Sequence, residues 1–173
     1  EGASEAVWSV TGLSSILDDE IQPEFAGQNY EVDAEKARDL LEGAGYSWKG
    51  DALVDPDGAP VSFTLSVPSG WSDWNTAQEL IAEDVKESIG AEVKIDMPDW
   101  GGWAGPRDDG SFSPIIHWLE DSGTAYGLYT STMDPRRIPP EGVAGVNFGR
   151  FEDPAATEAL DTYADAPAAE DRP

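Results

Sequence analysis

Val61, Phe63, Leu65 and Val67 alternate with small polar residues along VSFTLSV, and the alternation stops at Pro68-Ser69-Gly70. A period of two is the mark of a half-buried strand. The period then changes. Trp74, Ala77, Leu80, Ile81, Val85 and Ile89 recur at spacings of three and four, which predicts a helix from about 73 to 89 with Gly90 just past its end. Ser72 or Thr76 is placed to cap it, and Thr76 with Glu79 fits a capping box. AEVKIDM (91–97) supplies the next strand. Strand, helix and strand in this order make a β-α-β unit, expected right-handed and parallel. The implied class is α/β, a mixed and mainly parallel sheet with flanking helices. In such sheets ligands bind where strand gives way to helix, and Trp71 and Trp74 stand at that corner.

The rest of the chain can be organised around this unit. Residues 1–30 lack a sustained period, and the reading there is an irregular lead-in with a helical turn near Ser14–Asp18, capped by Ser14 or Ser15. Residues 33–45 predict a helix, with Asp33 as N-cap, a buried stripe of Ala34, Ala37, Leu40, Leu41 and Ala44, and Gly45 at the left-handed C′ position. Tyr46 and Trp48 follow in a connection. Residues 51–67 read as a hairpin turning at Pro56-Asp57-Gly58. Pro98–Gly110 reads as a short helix or irregular turn carrying Trp100 and Trp103. SFSPIIHWL (111–119) reads as a third core strand, which Pro114 confines to an edge or bulge. Residues 122–133 have helical spacing, Asp134–Val146 is loop, and Asp153-Pro154 opens a last helix as cap and N1 proline. Residues 164–173 read as a frayed tail. One domain, 1–173, is expected, and both ends look cut from a longer protein.

The balance of 35 Asp and Glu against 10 Lys and Arg, a formal charge of −25, argues against nucleic-acid partners and anionic membrane surfaces, because phosphates are repelled. No apolar run is long enough for a membrane span, so direct membrane insertion is not expected. Cysteine is absent, which removes disulfides, thiol nucleophiles and cysteine metal sites. Asp51, Asp55 and Asp57 lack the EF-hand spacing and its terminal Glu, and zinc ligands are missing, so no metal or other cofactor is expected. Neither GxxxxGK[ST] nor GxGxxG occurs; Gly101-Gly102 with Gly105 is a poor imitation. His117 is the single histidine, has no GxSxG turn beside it, and reads as a satisfied structural residue rather than a catalytic one. Acid pairs such as Asp18/Asp19, Asp108/Asp109 and Glu120/Asp121 are uninformative at this acid content, leaving a glycosidase-like hydrolase weakly supported. An adhesion or scaffolding domain would need a large exposed apolar patch. No catalytic residue is assigned, and a binding module is the favoured class.

Tryptophan carries the positive signal. There are seven, and Trp71, Trp74, Trp100, Trp103 and Trp118 fall at or near predicted strand ends. An indole offers an apolar face and one N–H donor, which suits sugar rings and peptide side chains. Trp71, on the turn after Gly70, is the best ligand candidate; Trp74, on the apolar stripe, is the member most suited to anchor its helix.

Several segments in order resemble the extracellular solute-binding proteins of family 5, the peptide, nickel and oligosaccharide receptors of ABC importers. YEVDAEKARDLLEGAGY (30–46) resembles that family's Tyr-Asp-Pro-Glu-Lys-Ala helix ending in Ala-Gly-Tyr, with Ala34 in place of the proline. LVDPDGAPVSFTLSV (53–67) and AQELIAEDVKESIGAEVKI (77–95) resemble its hairpin, next helix and next strand. DGSFSPIIHW (109–118) resembles its Gly-x-Phe-Asp strand, with Ser113 where Asp is usual, and NFGRFEDPAATEALD (147–161) its late Asn-to-Pro helix segment. The resemblance spans roughly 10–165. It implies the C-terminal lobe of a two-lobe receptor, a periplasmic-binding-protein-like fold that closes over ligand, and a permease partner reached through the full-length protein. It also implies an extracellular or periplasmic setting with a lipid anchor.

Peptide-binding members place an acid three residues after a tryptophan to meet the ligand ammonium, and Trp118-Leu119-Glu120-Asp121 matches. Asp121 is equally suited to cap the helix that follows. Thr124-Ala125 departs from the acid-proline pair common in peptide binders, whereas PSGWSDW (68–74) and YGLY (126–129) are closer to the oligosaccharide branch. The expected ligand contacts are Trp71, Asp73, Trp74, Trp100, Trp118, Asp121 and Asn147, for an oligosaccharide or an oligopeptide.

Overall fold

The computed structural model describes residues 10–13, 15–28, 32–118 and 123–166. They fall into two compact units. One is Asp33–Trp118 with Pro139–Phe148; the other is made of the described residues of Glu1–Val32, Leu119–Ile138 and Gly149–Pro173.

The first unit begins with α1 (Ala34–Gly43). Asp33 caps it, its side chain accepting from the Lys36 amide, and Gly45 beyond it has a φ of +91°. The expected stripe rotates, however. Ala34, Ala37, Arg38 and Leu41 are half-buried, while Leu40 is 67 % exposed and Ala44 is exposed. The stem of Arg38 takes a place on the inward face because its guanidinium Nε donates to the Ser88 carbonyl at 2.7 Å.

Next come β1 (Ser47–Lys49) and β2 (Ala52–Val54), paired antiparallel with Trp48 opposite Leu53. This corrects the connection expected at Tyr46–Trp48, whereas the hairpin expected over 51–67 forms in part. The Pro56-Asp57-Gly58 turn does form, tied by Asp55, whose carboxylate accepts from the Asp57 and Ala59 amides. Beyond it, the arms pair through an antiparallel bridge at Val54 and Pro60, with the Asp55 amide donating to the Ala59 carbonyl and the Val61 amide to the Leu53 carbonyl.

The chain then enters β3 (Ser62–Ser66), α2 (Ser72–Ile89) and β4 (Glu92–Asp96). β3 and β4 are parallel, in register from Ser62 opposite Glu92 to Ser66 opposite Asp96. Leu65 and Val67 are buried, as are Leu53, Val54 and Ala91, and each large aliphatic side chain so placed is worth about 1.5–3 kcal/mol. On α2, Trp74, Ala77, Val85 and Ile89 face inward in part, but Leu80 and Ile81 are 57 % and 40 % exposed, and Gln78 is wholly buried instead. Neither Ser72 nor Thr76 caps the helix. Trp71 stands at the N-cap without a side-chain bond, and the Thr76 hydroxyl, one turn into the helix, donates back to the Ser72 carbonyl. Gly90 ends the helix in the left-handed region at φ +78°.

α3 (Trp100–Asp109) follows, capped by the Asp99 side chain accepting from the Gly102 amide at 2.9 Å. The third strand expected at 111–119 is reduced to one parallel bridge, Ser66 to Ile115. Pro114 has no N–H to extend a ladder; its carbonyl accepts from the Ser66 amide, and the Ile116 amide donates to the Ser66 carbonyl. The α/β class stands, with a parallel pair at its centre and an antiparallel ribbon beside it.

The second unit contains a 3-10 helix at Ser15–Glu20, α4 (Ala125–Met133), a 3-10 turn at Pro135–Arg137 and α5 (Pro154–Asp165). Ser14, one of the two expected caps of the first turn, lies outside the described residues. Asp153 caps α5 ahead of Pro154, and the helix continues to Asp165, past the start of the expected frayed tail; 167–173 lie outside the described residues. Tyr126 and Tyr163 stack at 4.8 Å and 8°. The Tyr129 hydroxyl donates to the Thr11 carbonyl at 2.9 Å. Burial is the main cause that pushes this phenol up from its ordinary value, Thr11 pulls it back, and Glu20 adds to the rise. Asp134 is buried, and the Arg136 guanidinium bonded to it at 2.7 Å holds its carboxyl below the ordinary value against the opposing effect of burial. Arg136 also reaches Asp161 at 2.9 Å.

Candidate functional site: a tryptophan cluster

The turn between β3 and α2 is fixed from several directions. The Ser69 amide donates to the Pro98 carbonyl at 2.8 Å, and Asn75 Nδ2 donates to the Pro68 carbonyl at 3.2 Å. Gly70 takes a φ of +84°, which a residue with a Cβ adopts only under strain. The turn delivers Trp71 onto the first residue before α2. From the other side, Asp99 starts α3 so that Trp100 is its first residue and Trp103 lies one turn on. The segment bridged to β3 carries His117 and Trp118.

These elements bring four of the expected site residues together. Trp71 lies 4.8 Å from Trp74, 5.9 Å from Trp100 and 5.9 Å from Trp118, measured between ring centroids. Trp74 lies 6.1 Å from Trp118, and Trp100 lies 6.3 Å from it. The planes of Trp71, Trp100 and Trp118 are nearly parallel, 15–22° apart. Yet these three rings keep 36 %, 50 % and 36 % of their surface exposed. Large indoles left in water side by side form an apolar patch of the kind that marks a binding surface.

The remaining expected residues are less tightly placed. Asp73 is exposed in the first turn of α2, between Trp71 and Trp74 in sequence. Asn147 is buried and held at φ +48°, in the left-handed region that asparagine tolerates better than most residues. Its neighbour Phe148 packs on His117 at 4.3 Å. Asp121 lies outside the described residues.

Other residues extend the cluster beyond the sequence expectation. Trp103 is 1 % exposed and sits 5.2 Å from Trp100 and 6.1 Å from Trp118. His117, expected as a structural mid-strand residue, is instead inserted among the rings, 4.1 Å from Trp118 and 5.5 Å from Trp103. Arg107 is buried, with its guanidinium 5.3 Å over Trp103 and 5.7 Å over Phe148. The spacing of Trp100, Trp103 and Arg107 at i, i+3 and i+7 is the signal that places them on one helix face. Gln78 carried no comparable signal. It is 0 % exposed, and neither its amide oxygen nor its nitrogen has a hydrogen-bond partner; the Trp103 indole N–H is likewise unpartnered.

Among the described residues no group of three or more His, Cys, Asp or Glu is arranged to hold a metal ion. What the cluster offers chemically is stacking area.

The model of bacterial extracellular solute-binding proteins, family 5 Middle, matches residues 8–138. The oligopeptide-binding protein AppA of Bacillus subtilis is 39 % identical over 77 residues, 41 % of this chain and 13 % of AppA. The mannohexaose-bound periplasmic oligopeptide-binding protein of an oligopeptide ABC transporter from Thermotoga maritima superposes with a TM-score of 0.73 at 26 % identity, over 83 % of this chain and 27 % of that one. NikZ from Campylobacter jejuni, solved with Ni(L-His), shares the fold at a TM-score of 0.69 and 20 % identity, over 84 % of this chain and 28 % of its own. The chain thus spans about a quarter of the length of these solved relatives. With the family model covering well over half of its residues, the chain belongs to the bacterial extracellular solute-binding proteins of family 5.

Proposed function

We propose that the chain is one lobe of a two-lobe receptor that captures an oligosaccharide outside the cell and delivers it to the permease of an ABC importer. The observation that carries this reading is the set of three near-parallel, part-exposed indoles, Trp71, Trp100 and Trp118. Sugar rings present C–H faces that stack on indoles, and an oligosaccharide offers successive faces to successive rings. The Thermotoga maritima relative, solved with mannohexaose, supports the choice of ligand class. Trp71, Trp100 and Trp118 supply the stacking surface, Trp74 anchors it from α2, and Asp73 and Asn147 supply polar contacts to hydroxyls. Binding proceeds by lobe closure, with ligand shifting the population toward the closed form. The chain takes no catalytic part. In this reading the parent protein is extracellular or periplasmic and held by a lipid anchor.

A second reading, an oligopeptide ligand, is favoured by the 39 % identity to AppA. There Asp121 would pair with the ligand ammonium, since a desolvated charge needs a partner.

Calorimetry on the full-length parent protein tests both. Mannohexaose, cello-oligosaccharides and xylo-oligosaccharides are titrated beside short peptides, with indole fluorescence as a second readout. The sugar reading expects heat and a fluorescence change with at least one oligosaccharide. No heat with either class rejects the ligand claim. Peptide-only binding that Asp121→Ala abolishes transfers it to the second reading.

A further inference from the structure

α2 and α3 both present tryptophans to the cluster, but their interiors differ. α2 runs for 18 residues without a glycine or proline. α3 has 10 residues, among them Gly101, Gly102, Gly105 and Pro106. Glycine and proline are the two poorest helix formers. Pro106 has no N–H, so the Gly102 carbonyl loses its intrahelical donor. Asp108 and Asp109 put negative charge in the last turn, where the helix dipole favours a cation. The ends of α3 are sound, with Asp99 capping the first turn and Gly110 closing the last at φ +78°. Its interior is held from outside, by two buried side chains. Trp103 lies 5.2 Å from Trp100, and the Arg107 guanidinium lies 5.3 Å over Trp103 and 5.7 Å over Phe148. The first of these anchors is incompletely satisfied, because its indole N–H is buried without a partner. α3 is therefore folded by contacts within the cluster more than by its own backbone. Trp100, the first residue of α3 and 5.9 Å from Trp71, depends on it for its place.

We propose that α3 opens locally while α2 stays folded, that each opening takes Trp100 out of the cluster, and that ligand holds the helix shut. The proposal rests on the tryptophan cluster being the ligand surface. Opening free energies vary widely across a fold, and elements that move on binding come from the low end. A ligand that binds only the closed form suppresses opening by mass action, in proportion to its concentration over Kd. The glycines give a direct handle on this equilibrium. A Cβ at Gly105 would meet nothing within 4 Å, and one at Gly101 would make an ordinary contact, 3.7 Å from Asp99 Oδ1. At Gly102 a Cβ would come 3.0 Å from Pro98 Cβ, so that position is kept as glycine. Each replacement of glycine by alanine in a helix interior favours the helix about fivefold.

Amide hydrogen exchange on the full-length parent protein, read by mass spectrometry on peptides covering α2, α3 and α5, tests the proposal. Without ligand, α3 is expected to exchange at least about tenfold faster than α2. Equal protection of the two helices overturns the proposal. The double variant Gly101→Ala with Gly105→Ala is expected to slow α3 about twentyfold and to leave α2 unchanged. Unaltered exchange of α3 in that variant rejects the glycines as the source of the opening. Mannohexaose at about a hundred times its Kd is expected to slow α3 about a hundredfold and to leave α5 unchanged. If α3 exchanges at the same rate in the saturated protein, ligand does not hold it shut and the proposal fails. Affinity of the double variant should stay within about twofold of wild type, because the closed form is the one bound. A tenfold loss would mean that the added methyls meet the ligand, and the glycines would then serve ligand approach rather than opening. Absence of mannohexaose binding counts against the functional reading alone, because the first two comparisons are read without ligand.

Discussion

The two ends of α2 are built to opposite specifications. At the C-terminal end every feature is closed. Gly90 lies against the ribbon, where a Cβ would come 2.1 Å from the Asp51 carbonyl oxygen. Its own carbonyl accepts from the Leu53 amide at 2.9 Å. The last carbonyls of the helix, orphaned by geometry, are claimed by side chains: Arg38 Nε donates to Ser88, and Trp48 Nε1 donates to Ile89 at 2.7 Å. The Arg38 guanidinium also lies 5.1 Å over the Trp48 ring. At the N-terminal end the helix has no side-chain cap, and tryptophans gather with much of their surface in water. Trp48 is spent on structure with its N–H satisfied, whereas Trp71, Trp100 and Trp118 keep part of their surface in water. Closed packing is concentrated at one end of the helix and exposed aromatic surface at the other, which is the partition expected of an α/β unit whose ligands sit at the carboxyl ends of its strands.

The strongest way to break this comparison is at Gly90. Gly90→Ala must place a methyl into the Asp51 carbonyl while keeping a φ of +78°. The expected loss is more than about 3 kcal/mol of unfolding free energy, read by urea denaturation, because backbone strain and a backbone clash add. A loss below about 1 kcal/mol would mean that the ribbon and the helix end are not packed as described.

A paired substitution sharpens it. Trp48→Phe keeps a ring under Arg38 but leaves the Ile89 carbonyl without its donor, at an expected cost of about 1–2 kcal/mol in stability. Trp71→Ala is expected to change stability by less than about 1 kcal/mol, since the ring is already part-exposed, yet to weaken oligosaccharide binding about tenfold. Thermal unfolding and calorimetry on the same two variants decide the matter. If Trp71→Ala is the more destabilising of the two, the exposed cluster belongs to the core and the functional division of the helix fails.

Much of this division was legible from sequence at the level of elements. The switch of period at Pro68–Gly70 locates β3 and α2, and Asp33, Gly90 and Asp153-Pro154 mark helix ends because capping chemistry is local. Pairing was not local and was misread. Ala52–Val54 reads equally well as a partner of the strand before it or the strand after it. The earlier partner took the full ladder, while the later one kept a single antiparallel bridge and went on into a parallel pair with β4. Helix faces were misread where a polar side chain displaced an apolar one, Arg38 for Leu40 and Gln78 for Leu80. At the site, the tryptophans were visible as an excess near strand ends. Their mutual stacking, and the insertion of His117 between them, depends on tertiary geometry that no spacing encodes.

Gln78 itself offers a smaller test. A buried amide with neither atom partnered is a net cost, so Gln78→Met, close in length and apolar, is expected to stabilise the fold by about 1 kcal/mol in urea denaturation. Destabilisation by a similar amount would show that the amide is satisfied in solution, and the N-terminal half of α2 would then be as closed as its other end.

The smallest effect comes from the second unit, where a buried carboxylate has its partners in place. The Arg136 guanidinium and amide both donate to Asp134 Oδ1, and they hold its carboxyl below the ordinary value of 3.8. The folded state therefore prefers the ionised form more strongly than the unfolded state does. The resulting stabilisation is fully present above the ordinary value and drains away as pH falls through the lower folded value. Arg136 is more than half exposed, so solvent screens the pair and the contribution is modest. Urea midpoints of the wild type and Asp134→Asn are expected to differ at pH 6 and to converge as pH falls below about 4. A difference that persists unchanged to pH 2 would place the cost of the substitution in lost packing or capping of the Pro135–Arg137 turn rather than in charge. Asp134 would then be no reference for what a satisfied polar group contributes, and the contrast with Gln78 would rest on Trp48 alone.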